Sequence, residues 1–157
     1  MEKENLTGDY IPDQIDRQII ELLQENGKLG SKEIAAVIGL TVTPTYERIK
    51  RLEKRGVIKG YVAVVDKRKQ GLSLTVLCNV QLKSHASEYL EEFEERIIGL
   101  PEVYTCFHIA GNFDYLLKIH IKDMDEYAVF VKEKLAKIPH IATVQSSFVM
   151  RTMKDGN

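Results

Sequence analysis

The sequence predicts an α+β protein in two parts: an N-terminal three-helix winged helix-turn-helix unit and a C-terminal ferredoxin-like βαββαβ unit. Three observations carry that prediction. The stretch Ser31 to Arg55 spells two helices meeting at a glycine corner. A β-branched segment follows it and runs into a polar hinge. The remainder repeats itself at a shift of 38 residues. The divisions are residues 11–66 for the helix-turn-helix with its connecting strand, 67–72 for the hinge and 73–153 for the second unit.

Met1 to Tyr10 shows no apolar periodicity and is expected to be a loose arm. A first helix starts at Ile11-Pro12-Asp13 with Asp13 as its cap, carries the stripe Ile15, Ile19, Leu22, Leu23, and stops at Asn26-Gly27. Ser31 is placed to cap a second helix, whose Ile34, Val37 and Ile38 share a core with the first. Gly39 supplies the left-handed residue that ends it. Thr41 or Thr43 then caps a third helix with Pro44 in its first turn. This layout lets a second, exposed helix lie in a major groove.

With Ile49 taken as the inward direction at about 100° per residue, Val42, Thr45 and Leu52 fall near it. Thr43, Glu47, Lys50, Arg51 and Lys54 then point outward. Between Thr41 and Gly60 six Lys/Arg face two acids, a local balance of +4 in a chain whose net charge is −1. Such a surface suits duplex DNA, because affinity comes largely from cations meeting phosphates. The candidate DNA-binding residues are Ser31, Lys32, Thr43, Pro44, Thr45, Glu47, Arg48, Lys50 and Arg51. Arg48, Lys50 and Arg51 are assigned to phosphates or guanine edges, and Thr43, Pro44 and Thr45 to bases. Ser31 and Lys32 are assigned to a phosphate at the free amides of the preceding helix. The competing reading is a solvated helix with Glu47 paired to Arg51 at i,i+4.

V-I-K-G-Y-V-A-V-V-D, from Val57 to Asp66, is expected to form a strand or wing, and Lys67 to Gly71 a hinge. Beyond it, laying Glu88-Tyr89-Leu90 on Glu126-Tyr127-Ala128 also superposes Leu100-Pro101 on Ile138-Pro139. Each copy gives strand, helix, apolar-proline corner, strand. The strands are expected at Leu74 to Leu82, Val103 to Ala110, Tyr115 to Lys122 and Ile141 to Met150, with helices at Ser87 to Ile98 and Asp125 to Lys137. The order βαββαβ places both helices on one face of a four-stranded antiparallel sheet. Its other face is partly apolar, so a second copy is expected to cover it.

At 157 residues, 44% hydrophobic and 29% charged, the composition is that of a globular protein. No apolar run approaches the roughly 18 residues of a membrane span, and M-E-K-E-N is no signal peptide, so a cytoplasmic protein is expected. Cys78 and Cys106 lie in strand-like runs without C-x-x-C spacing and are expected to be core thiols. The four histidines have no metal-ligand spacing. With no Gly-rich phosphate loop and no nucleophile elbow, no catalytic, metal or cofactor residue is assigned and no enzyme is expected.

Five stretches in order, I-D-R-Q-I-I-E-L-L-Q-E-N-G, G-L-T-V-T-P-T-Y-E-R-I-K-R-L-E, G-V-I-K-G-Y, G-N-F-D-Y-L-L and S-S-F, give a resemblance over nearly the whole chain. It resembles the Lrp/AsnC (leucine-responsive regulatory protein, feast/famine) transcription factors. The resemblance implies a sequence-specific DNA-binding regulator that dimerises through its C-terminal domain, assembles further into octamers and answers to a small effector, commonly an amino acid. It also implies an effector site at interfaces between C-terminal domains, near Gly111, Asn112, Phe113 and Asp114. Gly111 and Asn112 would offer amides to a carboxylate, and Asp114 would face an α-ammonium group. Read without the resemblance, the loop is a hairpin connection. An architectural DNA-wrapping protein without effector control is the alternative function. The chain departs from the family at Thr41-Val42-Thr43, where Ser-Pro-Thr is common, and at Tyr46, where an aliphatic residue is common.

Overall fold

The structure, a computed structural model, describes residues 10–154, so all of the expected N-terminal arm except Tyr10 lies outside the described residues. The chain divides into two compact units between Val64 and Val65.

In the first unit α1 spans Gln14–Glu25. The Asp13 carboxylate accepts the Asp16 N–H at 2.8 Å, and the Asp16 carboxylate accepts the Asp13 N–H at 3.3 Å, a reciprocal cap. α2 spans Ser31–Ile38, and Gly30, not Ser31, occupies the cap position. Gly30 takes the extended backbone there while Glu33 reaches back from the third helical position to accept its N–H at 2.8 Å. Ser31 is the first helical residue. Gly39 ends α2 at φ +72°, a conformation that strains any residue bearing a Cβ.

α3 spans Val42–Lys54 with Thr41 in the cap position but without a side-chain bond. Ile19, Ile34, Ile49 and Leu52 form the core of the three helices, with Ile15, Leu22, Leu23 and Ile38 packed against it. Val37 and Val42 do not join it. Ala35 is the buried partner of Ile34 on α2, which turns Val37 outward. On α3 the most deeply buried positions are Thr45 and Leu52 rather than Ile49. The inward direction is therefore rotated away from Val42, which stands 47% exposed.

The expected strand at 57–66 does not form: these residues carry no ladder, and Val62 and Val64 are exposed. A strand exists only where another strand takes its N–H and C=O groups, and the paired strands among the described residues all belong to the second unit.

The second unit opens with a 3₁₀ turn at Arg68–Gln70. Its elements are β1 (Leu74–Leu82), α4 (Ser87–Ile98), β2 (Val103–His108), β3 (Tyr115–Ile121), α5 (Met124–Glu133), a second 3₁₀ turn (Leu135–Lys137) and β4 (Ile141–Phe148). The sheet order is β2-β3-β1-β4, all antiparallel, with Cys78 of β1 opposite Leu117 on one side and Ser146 on the other. Alternation on β1 and β3 turns Val76, Cys78, Val80, Leu117, Ile119 and Ile121 to one face. Phe93 and Ile97 of α4 and Tyr127 and Phe130 of α5 pack there, so both helices cover that face. β2 ends at His108, short of Ala110, because the chain turns into the hairpin; α5 stops at Glu133 and tightens into the 3₁₀ turn. Cys78 is a buried free thiol, whereas Cys106 is only half-buried. The opposite face carries half-buried Leu77 and Leu116 with exposed Tyr104 and Phe107, interspersed with Lys118 and His120.

Leu117 sits at the centre of the second core with no exposed surface. Leu117→Ala is expected to destabilise this unit by about 3 kcal/mol, read as a lower urea midpoint at unchanged slope; a shift worth well under 1 kcal/mol would show that this core is not close-packed.

Candidate nucleic-acid interface and hairpin loop

The orientation of α3 is fixed by an acid on α1. Asp16 is 0% exposed, yet its carboxylate is crowded with donors. Arg48 Nη1 bonds it at 2.8 Å and Asp13 at 2.6 Å, while Arg51 Nη2 approaches at 3.3 Å. The Tyr10 hydroxyl also donates to it. The Tyr10 ring lies 5.4 Å from the Arg51 guanidinium and 5.8 Å from that of Arg55.

Burial alone would push the Asp16 carboxyl up, but the Tyr10 hydroxyl, Arg48 and the Asp13 N–H outweigh it and hold it below the usual range. The Asp16 N–H, then Arg48, lowers Asp13 likewise. In return Asp13, then Asp16, holds the Arg48 proton more firmly. Tyr10, Asp13 as a partner of Arg48, and Asp16 were all missed as parts of this interface in the sequence. One signal was available: Asp16 stands three residues before Ile19, on the buried stripe of α1, where an acid needs a cationic partner.

The candidate residues separate accordingly. Thr45 has no exposure and donates its hydroxyl to the Thr41 carbonyl at 2.9 Å, so it leaves the set of base contacts. Arg48 is held by two carboxylates with its side chain 23% exposed, which makes it a strut between helices before it is a phosphate contact. Thr43, Glu47, Lys50 and Arg51 are exposed along one side of α3, Pro44 is half-buried, and Lys50 bonds Glu53 at 2.7 Å. Glu47 is not the ion-pair partner of Arg51, which bonds Asp16 instead. Ser31, half-buried, and Lys32, exposed, open α2, where first-turn amides lie outside the helix's own ladder. Val42 and Tyr46 are exposed beside these residues and were absent from the set.

In the second unit, residues 109–114 join β2 to β3, and Gly111 takes φ +140°. Gly111 and Asn112 are exposed and Phe113 is half-buried. Asp114 is only 8% exposed and does not face solvent. One carboxylate oxygen accepts the Leu82 N–H at 2.7 Å and the other meets His85 Nε2 at 2.8 Å. Its own N–H donates to the Val80 carbonyl at 2.9 Å, and its carbonyl accepts the Ile109 N–H at 2.8 Å. The expected partner of a ligand ammonium is thus engaged within the chain.

Residues 75–157 match the Lrp/AsnC ligand binding domain family, and residues 12–59 match the winged helix-turn-helix DNA-binding family. The chain belongs to the Lrp/AsnC family. It is similar to the Bkd operon transcriptional regulator of Pseudomonas aeruginosa, at 36% identity over 141 residues covering 90% of this chain and 92% of that one. It is also similar to the DNA-binding transcriptional activator DecR of Escherichia coli, at 37% identity over 142 residues covering 90% and 93%. A transcriptional regulator from Neisseria meningitidis, solved as a complex with L-Met, superposes with a TM-score of 0.88 at 32% identity over 92% and 93% of the two chains. This Lrp/AsnC chain is a DNA-binding transcriptional regulator with a C-terminal ligand-binding domain. Among the described residues no helix is long and apolar enough to cross a membrane.

The carboxyls of Asp13 and Asp16 sit below their ordinary values in the folded chain. Their contribution to stability is therefore complete above about pH 4 and is lost as the pH falls through the folded values. Asp16→Asn is expected to cost about 2 to 4 kcal/mol at neutral pH and to flatten the acid limb of a stability profile recorded below pH 5. An unchanged limb would mean that this cluster does not hold the helices together.

Proposed function

We propose that two copies of the chain present α3 to successive major grooves, with half-sites separated by about 34 Å or a multiple of it. Lys50 and Arg51 meet phosphates or guanine edges, Thr43 and Pro44 approach bases, and Glu47 faces the groove between them. Ser31 and Lys32 anchor a phosphate at the start of α2. The observation that carries this reading is the exposed, cation-rich side of α3 on a unit matched by a DNA-binding family. Residence in the cytoplasm follows from a chromosomal partner.

The copies join through the second unit, first as a dimer and then as a larger ring such as an octamer. The apolar side of the sheet away from the helices, with Phe107 and Tyr104 exposed, supports a covering copy. An amino acid is the proposed effector, supported by the ligand-binding family match and by the similar regulator solved with L-Met. Its carboxylate takes the amides of Gly111 and Asn112 beside Phe113. Asp114 acts from beneath, holding the loop to Leu82 and His85. Binding there alters assembly and shifts DNA affinity by about 1 to 3 kcal/mol.

Arg51→Ala is expected to weaken DNA binding and to lower the slope of log affinity against log salt by about 0.9, one phosphate contact. Unchanged slope and affinity would remove Arg51 from the interface. Light scattering across a panel of amino acids is expected to show a change of oligomer size with at least one of them. A constant size together with no thermal stabilisation by any would favour the architectural reading.

A further inference from the structure

Resting on the DNA-binding reading above, we infer that Val42 and Tyr46 form an apolar ridge on α3 that reads the C5-methyl groups of thymines. Val42, Tyr46 and Lys50 stand at i, i+4 and i+8, which stacks them on one side of the helix. Val42 is 47% and Tyr46 51% exposed, and Lys50 Nζ lies 5.8 Å from the Tyr46 ring centroid.

The first turns of α3 are inverted relative to ordinary helix packing. Thr45, which carries a hydroxyl, is buried and has to satisfy that hydroxyl on the Thr41 carbonyl. Val42 and Tyr46, which would release more apolar area from water, are left outside. An aliphatic and an aromatic side chain thus occupy the N-terminal half of the helix, the part from which base edges are contacted in this architecture.

Charge selects the occupant. Beyond the ridge toward the helix C-terminus come Lys50, Arg51 and Arg55, exposed cations that suit a polyanion. Within a major groove the one apolar feature of the base edges is the thymine methyl, while every other group there is a hydrogen-bond donor or acceptor. Val42 and Tyr46 bear no side-chain group able to satisfy those donors and acceptors except the Tyr46 hydroxyl at the ring's far end. The Lys50 ammonium, which also bonds Glu53, lies beside the Tyr46 ring, so the ridge adjoins a cation.

The test uses the full-length protein and a duplex that it selects from a random-sequence pool. Each thymine of that duplex is replaced singly by deoxyuridine, which removes only the methyl, and affinity is measured by fluorescence anisotropy. Wild type is expected to lose about fourfold per contacted methyl at one or two positions in each half-site. Val42→Ala and Tyr46→Ala should each bind the unmodified duplex more weakly and lose the sensitivity at one of those positions. Tyr46→Phe should keep it. Circular dichroism checks that the variants are folded, as expected for exposed positions.

Tight binding with no deoxyuridine sensitivity at any position would overturn the ridge and leave the DNA-binding reading standing. So would sensitivity that survives in both alanine variants. Loss of self-association in Tyr46→Ala with unchanged deoxyuridine sensitivity would assign the ridge to a second copy of the chain instead. Failure of the wild type to enrich any duplex at low salt would overturn the ridge and the function together.

Discussion

The first unit depends on a single buried charge. An ionised carboxylate without water is tolerated only with opposite charge and hydrogen bonds around it, and Asp16 draws these from Arg48, Arg51, Tyr10 and the Asp13 amide. Apolar packing through Ile19, Ile34, Ile49 and Leu52 holds the three helices together but tolerates small rotations of one on another. The Arg48 guanidinium, whose Nη1 bonds both Asp13 and Asp16, restricts them. It fixes the side of α3 that faces outward, and with it the residues offered to a groove. The arrangement withdraws one cation from the surface that DNA would meet. Lys50, Arg51 and Arg55 remain exposed there.

Legibility in the sequence followed the range of the interactions involved. β1 and α4 begin and end where alternation and helical spacing place them, and Gly39 closes α2 in the left-handed conformation that a glycine corner implies. The misplacements arise where a neighbour distant in sequence decides. Anchoring the inward side of α3 on Ile49 brought Val42 in and left Arg48 free, whereas the core and the α1 acids rotate the helix toward Thr45 and Leu52. Local hydrophobicity cannot see a carboxylate 32 residues away. Residues 57–66 have strand composition, yet β-branched residues only fit a ladder and do not create one. Gly30 displaced Ser31 as the cap of α2 because Glu33 could supply the reciprocal bond without a hydroxyl from the cap.

In the second unit the internal repeat accounts for the order of elements but not for the asymmetry between its halves. The first half runs from β1 through α4 to β2, the second from β3 through α5 to β4. The side chain of Asp114 ties the hairpin joining them to the first half, reaching Leu82 at the end of β1 and His85 just before α4. No local pattern reports this, because His85 lies 29 residues from Asp114.

For an effector bound at the hairpin as proposed, that tie sets what its binding can move. A loop tied only to its own strands would have no direct bond to the segment leading into α4. Here Asp114 closes the hairpin through Ile109, ties it to β1 through Val80, and with its carboxylate meets Leu82 and His85 on the crossing from β1 into α4. Movement of the loop that displaces Asp114 must either break a hydrogen bond to a largely buried carboxylate or carry Leu82 and His85 with it. The former leaves a buried acceptor unsatisfied, at about 1 to 3 kcal/mol, so the latter is the lower-energy route. Under the effector site proposed above, a displacement that reaches Asp114 would be carried through Leu82 and His85 to the start of α4, where the same backbone enters the core that Phe93 and Ile97 share with the sheet.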